Sequence, residues 1–341
     1  MYRLGGEASG PTVRIGHLRD ALAQRVRLDV VSGARLERAF ALIGYALRGR
    51  LRGLAGIYVE SSSSLPGPVD IIFLGLARLC RVRVLTYIRD AYQLFPEYYA
   101  TDSAKRRISR AAFLPAVRAL TKVSSLVAFP SRGLARSVLG DGWAQRAPLL
   151  PPGAKVAPVS PVRPGARAFL YVGSLAHAAQ GGGILVEAMA LARERSQDLE
   201  LICVTPPHDQ PAGPRPGWLR YLRASGAEIE ELLPEVLATI TPRMRTPYNE
   251  LAVPIKVLEY LGYGRPLIVT DVGETAAMVR AAGCGLVVPD TAEGLSAGIG
   301  EVASASPQQI RSWGAAALRA AEANSWEVRA ARIMELLGVR P

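Results

Sequence analysis

From Pro254 to Thr270 the chain reads Pro-Ile-Lys-Val-Leu-Glu-Tyr-Leu-Gly-Tyr-Gly-Arg-Pro-Leu-Ile-Val-Thr, with Lys256 and Glu259 three residues apart just after a proline. Proline has the fixed φ and missing donor that suit a first helical turn. The spacing therefore predicts a short helix opened by Pro254, Ile255 and Lys256, with Ala252 or Val253 before it. The first amides of such a helix have no intrahelical partner, and the positive end of its dipole lies there, so Lys256 completes a site for an anion. Glu259, one turn deeper, would repel a phosphate but can accept hydrogen bonds from a pair of hydroxyls such as a ribose offers. The pattern fits a nucleotide diphosphate laid across the helix N-terminus. The same spacing equally fits an i,i+3 surface ion pair, worth about 0.2–0.5 kcal/mol.

The elements around this segment read as alternating strands and helices. In the first half, Thr12 to Gln24 reads as a helix, Arg27 to Ser32 as a strand, Gly56 to Glu60 as a strand, Pro68 to Leu79 as a helix and Arg83 to Ile88 as a strand. A proline-dense passage from Pro148 to Pro164 suits neither a helix nor a central strand and reads as a linker. Beyond it come Ala168 to Gly173 (strand), Gly183 to Arg195 (helix), Leu199 to Val204 (strand), a glutamate-rich helical stretch from Ala227 to Ala238, the strand Leu267 to Thr270, the helix Glu274 to Ala282 and the strand Gly285 to Val288. Such alternation predicts an α/β fold of two doubly wound, Rossmann-like domains with parallel sheets, facing across a cleft at the carboxyl ends of their strands. We place the first domain at 1–155, with a final helix at about 325–341 packing back on it, and the second at 156–324.

Length and composition agree with two cored domains: 341 residues, 49% hydrophobic and 21% charged. The charge is uneven. Residues 1–160 carry a net +14 and residues 161–341 a net −2, so the first half suits an anionic partner, unless the arginines reflect coding bias. The three cysteines, Cys80, Cys203 and Cys284, are far apart and apolar in context, and read as reduced core residues. The three histidines are unclustered, so no metal site is expected. With no secretory signal and no apolar run near the roughly 20 residues that span a bilayer, a cytoplasmic protein is expected. The segment Lys105 to Lys122 combines a basic face with apolar residues and follows Tyr92, Phe95, Tyr98 and Tyr99. It fits either a helix in the interface of an anionic membrane, placing the protein on its inner face, or a solvated helix whose apolar side is core. Aromatic and basic residues are not interleaved, so nucleic acid is not expected as a partner.

Pro254, Lys256, Glu259, Tyr260, Gly264, Pro266 and Thr270 together resemble the donor-binding signature of retaining family 4 (group 1) glycosyltransferases of the two-Rossmann-domain, GT-B fold. Other stretches are similar along the whole chain. Gly5 and Gly6 stand where these enzymes have a glycine-rich loop, Leu126 to Ser131 where a strand closes the first domain, and Leu150 to Gly153 at the crossing between domains. Tyr171 to Ser174 matches the opening of the donor domain, and Ser325-Trp326 the start of the returning helix.

The resemblance implies transfer of a sugar from a uridine or guanosine diphosphate donor, with retention, no metal and no cofactor, to a lipid-linked or saccharide acceptor held by the basic first domain. The donor residues it implies are Gly5, Gly6, Gly173, Ser174, Arg243, Asn249, Glu250, Pro254, Ile255, Lys256 and Glu259. Lys256 and Arg245 would steady the leaving diphosphate. At the end of a first-domain strand, Asp90 would orient or deprotonate the acceptor and Arg89 hold a phosphate. A helix N-cap is the alternative for Asp90. Many family members have Arg and Lys where this chain has Ser174 and Gln180, with Arg243, Arg245 and Lys256 the available substitutes. The first glutamate of the family's Glu-x7-Glu pattern falls on Leu251, leaving Asn249 or Glu250 to face the donor sugar. Two other readings share this fold: a nucleotide-sugar 2-epimerase or hydrolase, and a binding protein without turnover.

Overall fold

The structure, a computed structural model, describes residues 10–61, 65–158, 160–210 and 215–340. The chain divides into two compact units, one of residues 1–152 and 326–341, the other of residues 153–325.

The first unit runs α1 (Gly10–Ala23), α2 (Arg35–Leu47), β1 (Ile57–Ser61), α3 (Pro68–Leu79), β2 (Val84–Ile88), α4 (Ala104–Val123), β3 (Leu126–Ala128), α5 (Arg132–Leu139) and the single turn α6 (Asp141–Ala144). Its described strands form one parallel sheet in the order β1-β2-β3, with Ile57 beside Val84 and Leu85 beside Leu126. Helix starts follow local chemistry. Pro68 opens α3 while the Gly67 amide donates to Asp70 at 2.6 Å, and Ser103 and Ser131 accept from Arg106 and Leu134 at the heads of α4 and α5.

Residues 27–32, expected as a strand, pair with no strand among the described residues. They and β1 both line a cavity of about 910 Å³. Gly5 and Gly6 lie outside the described residues.

The second unit runs β4 (Ala168–Val172), α7 (Gly182–Arg193), β5 (Glu200–Val204), β6 (Leu219–Leu222), α8 (Ala227–Leu232), β7 (Val236–Thr241), α9 (Ile255–Gly262), β8 (Leu267–Thr270), α10 (Gly273–Ala282), β9 (Gly285–Val288), α11 (Ala292–Ser304) and α12 (Pro307–Ala323). The strands make one parallel sheet in the order β6-β5-β4-β7-β8-β9. The order reverses between β4 and β7, the topological switch point at which doubly wound sheets leave a crevice beyond their carboxyl ends. Both faces are covered. Ile268 packs in a core with Leu185 and Met189 of α7 and Leu295 and Ile299 of α11, while its neighbours Leu267 and Val269 pack with Val257 and Leu261 of α9 and Ala317 of α12.

The expected helix from Ala227 to Ala238 is shorter than its composition suggested. It ends at Leu232, a 3-10 turn containing Pro234 follows, and Val236 already begins the fully buried β7. Pro234 cannot donate into the helix, and apolar β-branched residues take over behind it.

The last helix, α13 (Trp326–Leu337), belongs to the first unit. Trp326, Ala330, Ile333 and Met334 share a core with Leu18 and Leu22 of α1 and Leu85 and Tyr87 of β2.

Candidate functional site

The crevice of the second sheet collects most of the residues singled out above. Helix α9 begins one residue later than the proline rule suggested: Pro254 is its N-cap, in extended geometry at φ −68° and ψ 137°, and Ile255 is the first helical residue. The shift leaves the amides of Ile255 and Lys256 at the helix mouth, ahead of the first intrahelical bond. The helix is held against the sheet by Tyr260, whose buried hydroxyl accepts from the Val172 amide at 2.6 Å. Gly262 fixes its other end, because a Cβ there would stand 1.9 Å from the Lys155 carbonyl oxygen.

Lys256 therefore points to the end of β4. Its Nζ lies 4.5 Å from the centroid of the Tyr171 ring and 3.4 Å from Gln180 Oε1. Among the described residues it has no carboxylate partner, and the ion pair with Glu259 that the spacing also allowed does not form. Loss of water, followed by repulsion from Arg243, lowers its pKa to about 7. Gly173 makes room for it: at φ +147° it occupies backbone space that side chains rarely adopt. Ser174, next along, accepts from the Tyr171 hydroxyl through its carbonyl at 2.7 Å.

Glu259 is part-buried, with no hydrogen bond or ion pair among the described residues, and burial raises its pKa. It sits among phenols, contributing to the raised pKa values of Tyr260 and Tyr263. An ammonium and a carboxylate thus stand one helical turn apart, each short of a counter-charge. Such a pair can take a diphosphate at the helix mouth and a pair of hydroxyls behind it.

Asn249 has a different place from the one expected. It is fully buried, and its amide donates to the carbonyls of Ala179 at 2.8 Å and Met244 at 2.7 Å while its oxygen accepts from Arg243. It braces the loop after β7 against the turn before α7 instead of facing outward to a sugar. Gly181 allows that closeness, since a Cβ there would be 1.6 Å from the Pro242 carbonyl oxygen. Arg243 is buried behind Lys256, and its carbonyl accepts from Thr270 at 2.5 Å. Arg245 is exposed and turned to Glu250 and the Asp271 carbonyl, so its charge is already compensated and Glu250 is engaged. Lys256 and Arg243 both bring positive charge to the crevice. The buried brace of Arg243 and Asn249 was not legible beforehand, because Asn249 reaches Ala179, 70 residues earlier in the chain.

In the first unit, Arg89 and Asp90 follow β2 and pair with each other at 2.8 Å, with Asp90 buried. Asp90 is not a helix cap: the 3-10 turn behind it starts after Ala91. Sequence reasoning missed a neighbouring buried network. Arg14 donates to Glu60 at 2.9 Å, Tyr58 donates to the other oxygen of Glu60 at 2.5 Å, and the Arg14 guanidinium lies 4.2 Å from the Tyr87 ring centroid. Among the described residues, no group of three or more His, Cys, Asp or Glu side chains is arranged to hold a metal ion.

The second unit matches a known family over residues 166–304, the span containing the whole crevice; the family is described as glycosyl transferases group 1. No curated protein matches the chain in sequence. Solved structures match nearly end to end at low identity. Sucrose-phosphate synthase from Thermosynechococcus elongatus is 16% identical with a TM-score of 0.63, covering 96% of this chain and 93% of that one. Anabaena HepE in complex with UDP and glucose is 13% identical with a TM-score of 0.63, covering 99% and 98%. An E. coli protein described as trehalose-6-phosphate bound with UDP-2-fluoro glucose is 13% identical with a TM-score of 0.59, covering 100% and 98%. The fold is the GT-B fold shared with these solved structures, and residues 166–304 match the group 1 glycosyl transferase family.

Proposed function

We propose that the chain transfers a hexose from a nucleotide diphosphate sugar, UDP-linked in the first instance, to a saccharide or lipid-linked acceptor held by the basic first unit. The observation that carries the donor assignment is the pair on α9: Lys256 with no carboxylate partner and Glu259 with no partner at all among the described residues. A diphosphate at the helix mouth meets the amides of Ile255 and Lys256, the Lys256 ammonium and, behind it, the Arg243 guanidinium. The ribose hydroxyls meet Glu259. UDP in the matched Anabaena structure and a UDP-sugar analogue in the matched E. coli structure favour uridine as the base.

Transfer breaks the bond between the anomeric carbon and the diphosphate, and the departing oxygens gain negative charge. Fixed donors that wait for this charge lower the barrier more than they stabilise the bound sugar nucleotide. Lys256 and the α9 amides supply those donors. Retention of configuration and independence from metal belong to the same reading, with Asp90 and Arg89 on the acceptor side. A cytoplasmic site of action, with peripheral attachment to the inner face of a membrane, completes it.

Ser174 and Gln180 favour one second reading, a nucleotide-binding protein without turnover, because Gln180 puts a neutral amide beside Lys256. A thermal-shift screen with UDP, GDP, ADP, CDP and TDP, followed by incubation with UDP-sugars and a mixed glycan acceptor pool, separates the readings. A rise in melting temperature with UDP and release of UDP that depends on the acceptor supports transfer. Binding without release supports the second reading, and no shift with any nucleotide removes the donor assignment.

A further inference from the structure

Helix α2 carries Leu36, Phe40, Ile43 and Leu47 at spacings of four, three and four residues, so they form one stripe along one face. That stripe is exposed, with Phe40 73% and Leu47 83% accessible. On α3, Ile72, Leu76 and Leu79 repeat the pattern, and Leu79 is 82% accessible. The two helices are fastened side by side. Arg38 makes a two-pronged pair with Asp70 at 2.7 Å, and Tyr45 meets Phe73 edge-on with ring centroids 6.3 Å apart. Their exposed stripes therefore belong to one neighbouring pair of helices, and more than half of the large exposed apolar side chains of the described residues lie on it.

The charge around these stripes is mostly positive. Arg48, Arg50 and Arg52 follow α2, and Arg78 and Arg81 stand at the end of α3, all exposed. Two acids of the region are buried in ion pairs, Asp70 with Arg38 and Glu60 with Arg14, while the exposed Glu37 accepts from the Ala34 amide at 2.8 Å and the exposed Asp29 from the Tyr45 hydroxyl at 2.9 Å, leaving the arginines in excess. A second copy of this face would set arginine against arginine. A bilayer of anionic lipids offers what the face lacks, an apolar interior at the depth of the leucines and phosphates at the level of the arginines. We propose that the α2/α3 face docks the protein on an anionic lipid surface. Helix α4, with its Lys105, Arg106 and Arg107, contributes a single large exposed apolar residue, Ile108, and is not the anchor. The proposal locates the membrane attachment named in the functional reading and rests on it. No helix of the described residues is long and apolar enough to cross a membrane, so the contact is interfacial.

Co-sedimentation with phosphatidylcholine vesicles, with and without phosphatidylglycerol, tests it on the full chain. The parent protein should bind the anionic vesicles at low salt and leave the neutral ones. The triple variant Phe40→Ser, Leu47→Ser, Leu79→Ser, and separately Arg48→Gln, Arg50→Gln, Arg52→Gln, should each weaken that binding at least about 10-fold, whereas Lys105→Gln, Arg106→Gln, Arg107→Gln should leave it within about 2-fold. The replaced side chains are solvent-exposed, so melting temperature and its UDP-induced shift should stay unchanged in all three. Absence of parent binding to anionic vesicles, or equal binding by the apolar variant, overturns the proposal. So does a dimer in sedimentation velocity that the apolar variant dissolves, which would make this face a self-interface. Vesicle binding that persists while no nucleotide shifts the melting temperature overturns the donor assignment alone.

Discussion

Gly173 and Lys256 share one small space: a Cβ on residue 173 would lie 3.0 Å from the Lys256 Nζ and 3.0 Å from the Tyr171 hydroxyl. The lysine can lean on the Tyr171 ring only because residue 173 has no side chain. Gly173→Ala adds a methyl at φ +147° and should cost roughly 1–3 kcal/mol in chemical denaturation. It should also weaken UDP binding by displacing the ammonium. Wild-type affinity in a folded Gly173→Ala protein would sink the assigned geometry.

Lys256→Ala removes the charge opposite the diphosphate. Loss of a charged hydrogen-bond donor of about 1.5–3 kcal/mol corresponds to UDP affinity reduced roughly 10- to 150-fold in calorimetry. The fold should survive, since the lysine makes no ion pair that would leave a buried carboxylate behind.

The pH dependence follows from the same residue. Free Lys256 has a pKa of about 7, below its ordinary value because burial and Arg243 disfavour the cation. A bound diphosphate favours the cation and raises that pKa. UDP binding should therefore take up a proton near neutral pH, and affinity should fall by up to about 10-fold per unit as pH climbs above 7. Calorimetry in buffers of different ionisation enthalpy measures the uptake, and Lys256→Ala should abolish it. On this group alone, stability should rise between pH 7 and the unfolded lysine value near 10.4, because the unfolded chain holds the proton the native state has released.

Glu259→Gln separates stability from binding. Burial raises the pKa of Glu259, so its ionised form is disfavoured in the folded protein, and that penalty is present once pH exceeds the folded pKa. The amide should raise the melting temperature at pH 7.5 by a few degrees, about 2–4 °C per kcal/mol for a unit of this size. Uridine nucleotide affinity should drop at the same time. A variant that gained stability and kept full affinity would remove Glu259 from the ribose.

In the first unit, Glu60→Ala leaves the Arg14 guanidinium 2% exposed with its carboxylate removed. Breaking one side of such a buried pair should cost about 3–5 kcal/mol in denaturant unfolding, with nucleotide affinity of the second unit untouched.

The legibility of these features in the sequence tracks the range of the interactions behind them. The helix at Pro68–Leu79 and the strands Leu267–Thr270 and Gly285–Val288 have the bounds their punctuation indicates, since proline and glycine act on their own turns. Residues 27–32 have strand composition, but they pair with no strand among the described residues, and composition alone does not fix pairing. β7 was obscured by the glutamates ahead of it. At the site, Lys256 and Glu259 could be read because one helical turn fixes their relation. The brace of Asn249 and Arg243 could not, because Ala179 reaches it only through the folded sheet. The compensation of Arg245 by Glu250 depends likewise on loop geometry.

The position of α13 bears on how the protein is made. Its Trp326, Ile333 and Met334 complete a core begun by α1 and β2, yet they follow the entire second unit in the chain. A ribosome therefore delivers all of residues 153–325 before the first unit can bury Tyr87 and Leu85 against their last neighbours. The domain translated second is contiguous and can mature first, while the one translated first waits with part of its interior open to chaperones. A chain cut short before Trp326 would carry a complete second unit attached to a first unit that lacks part of its core.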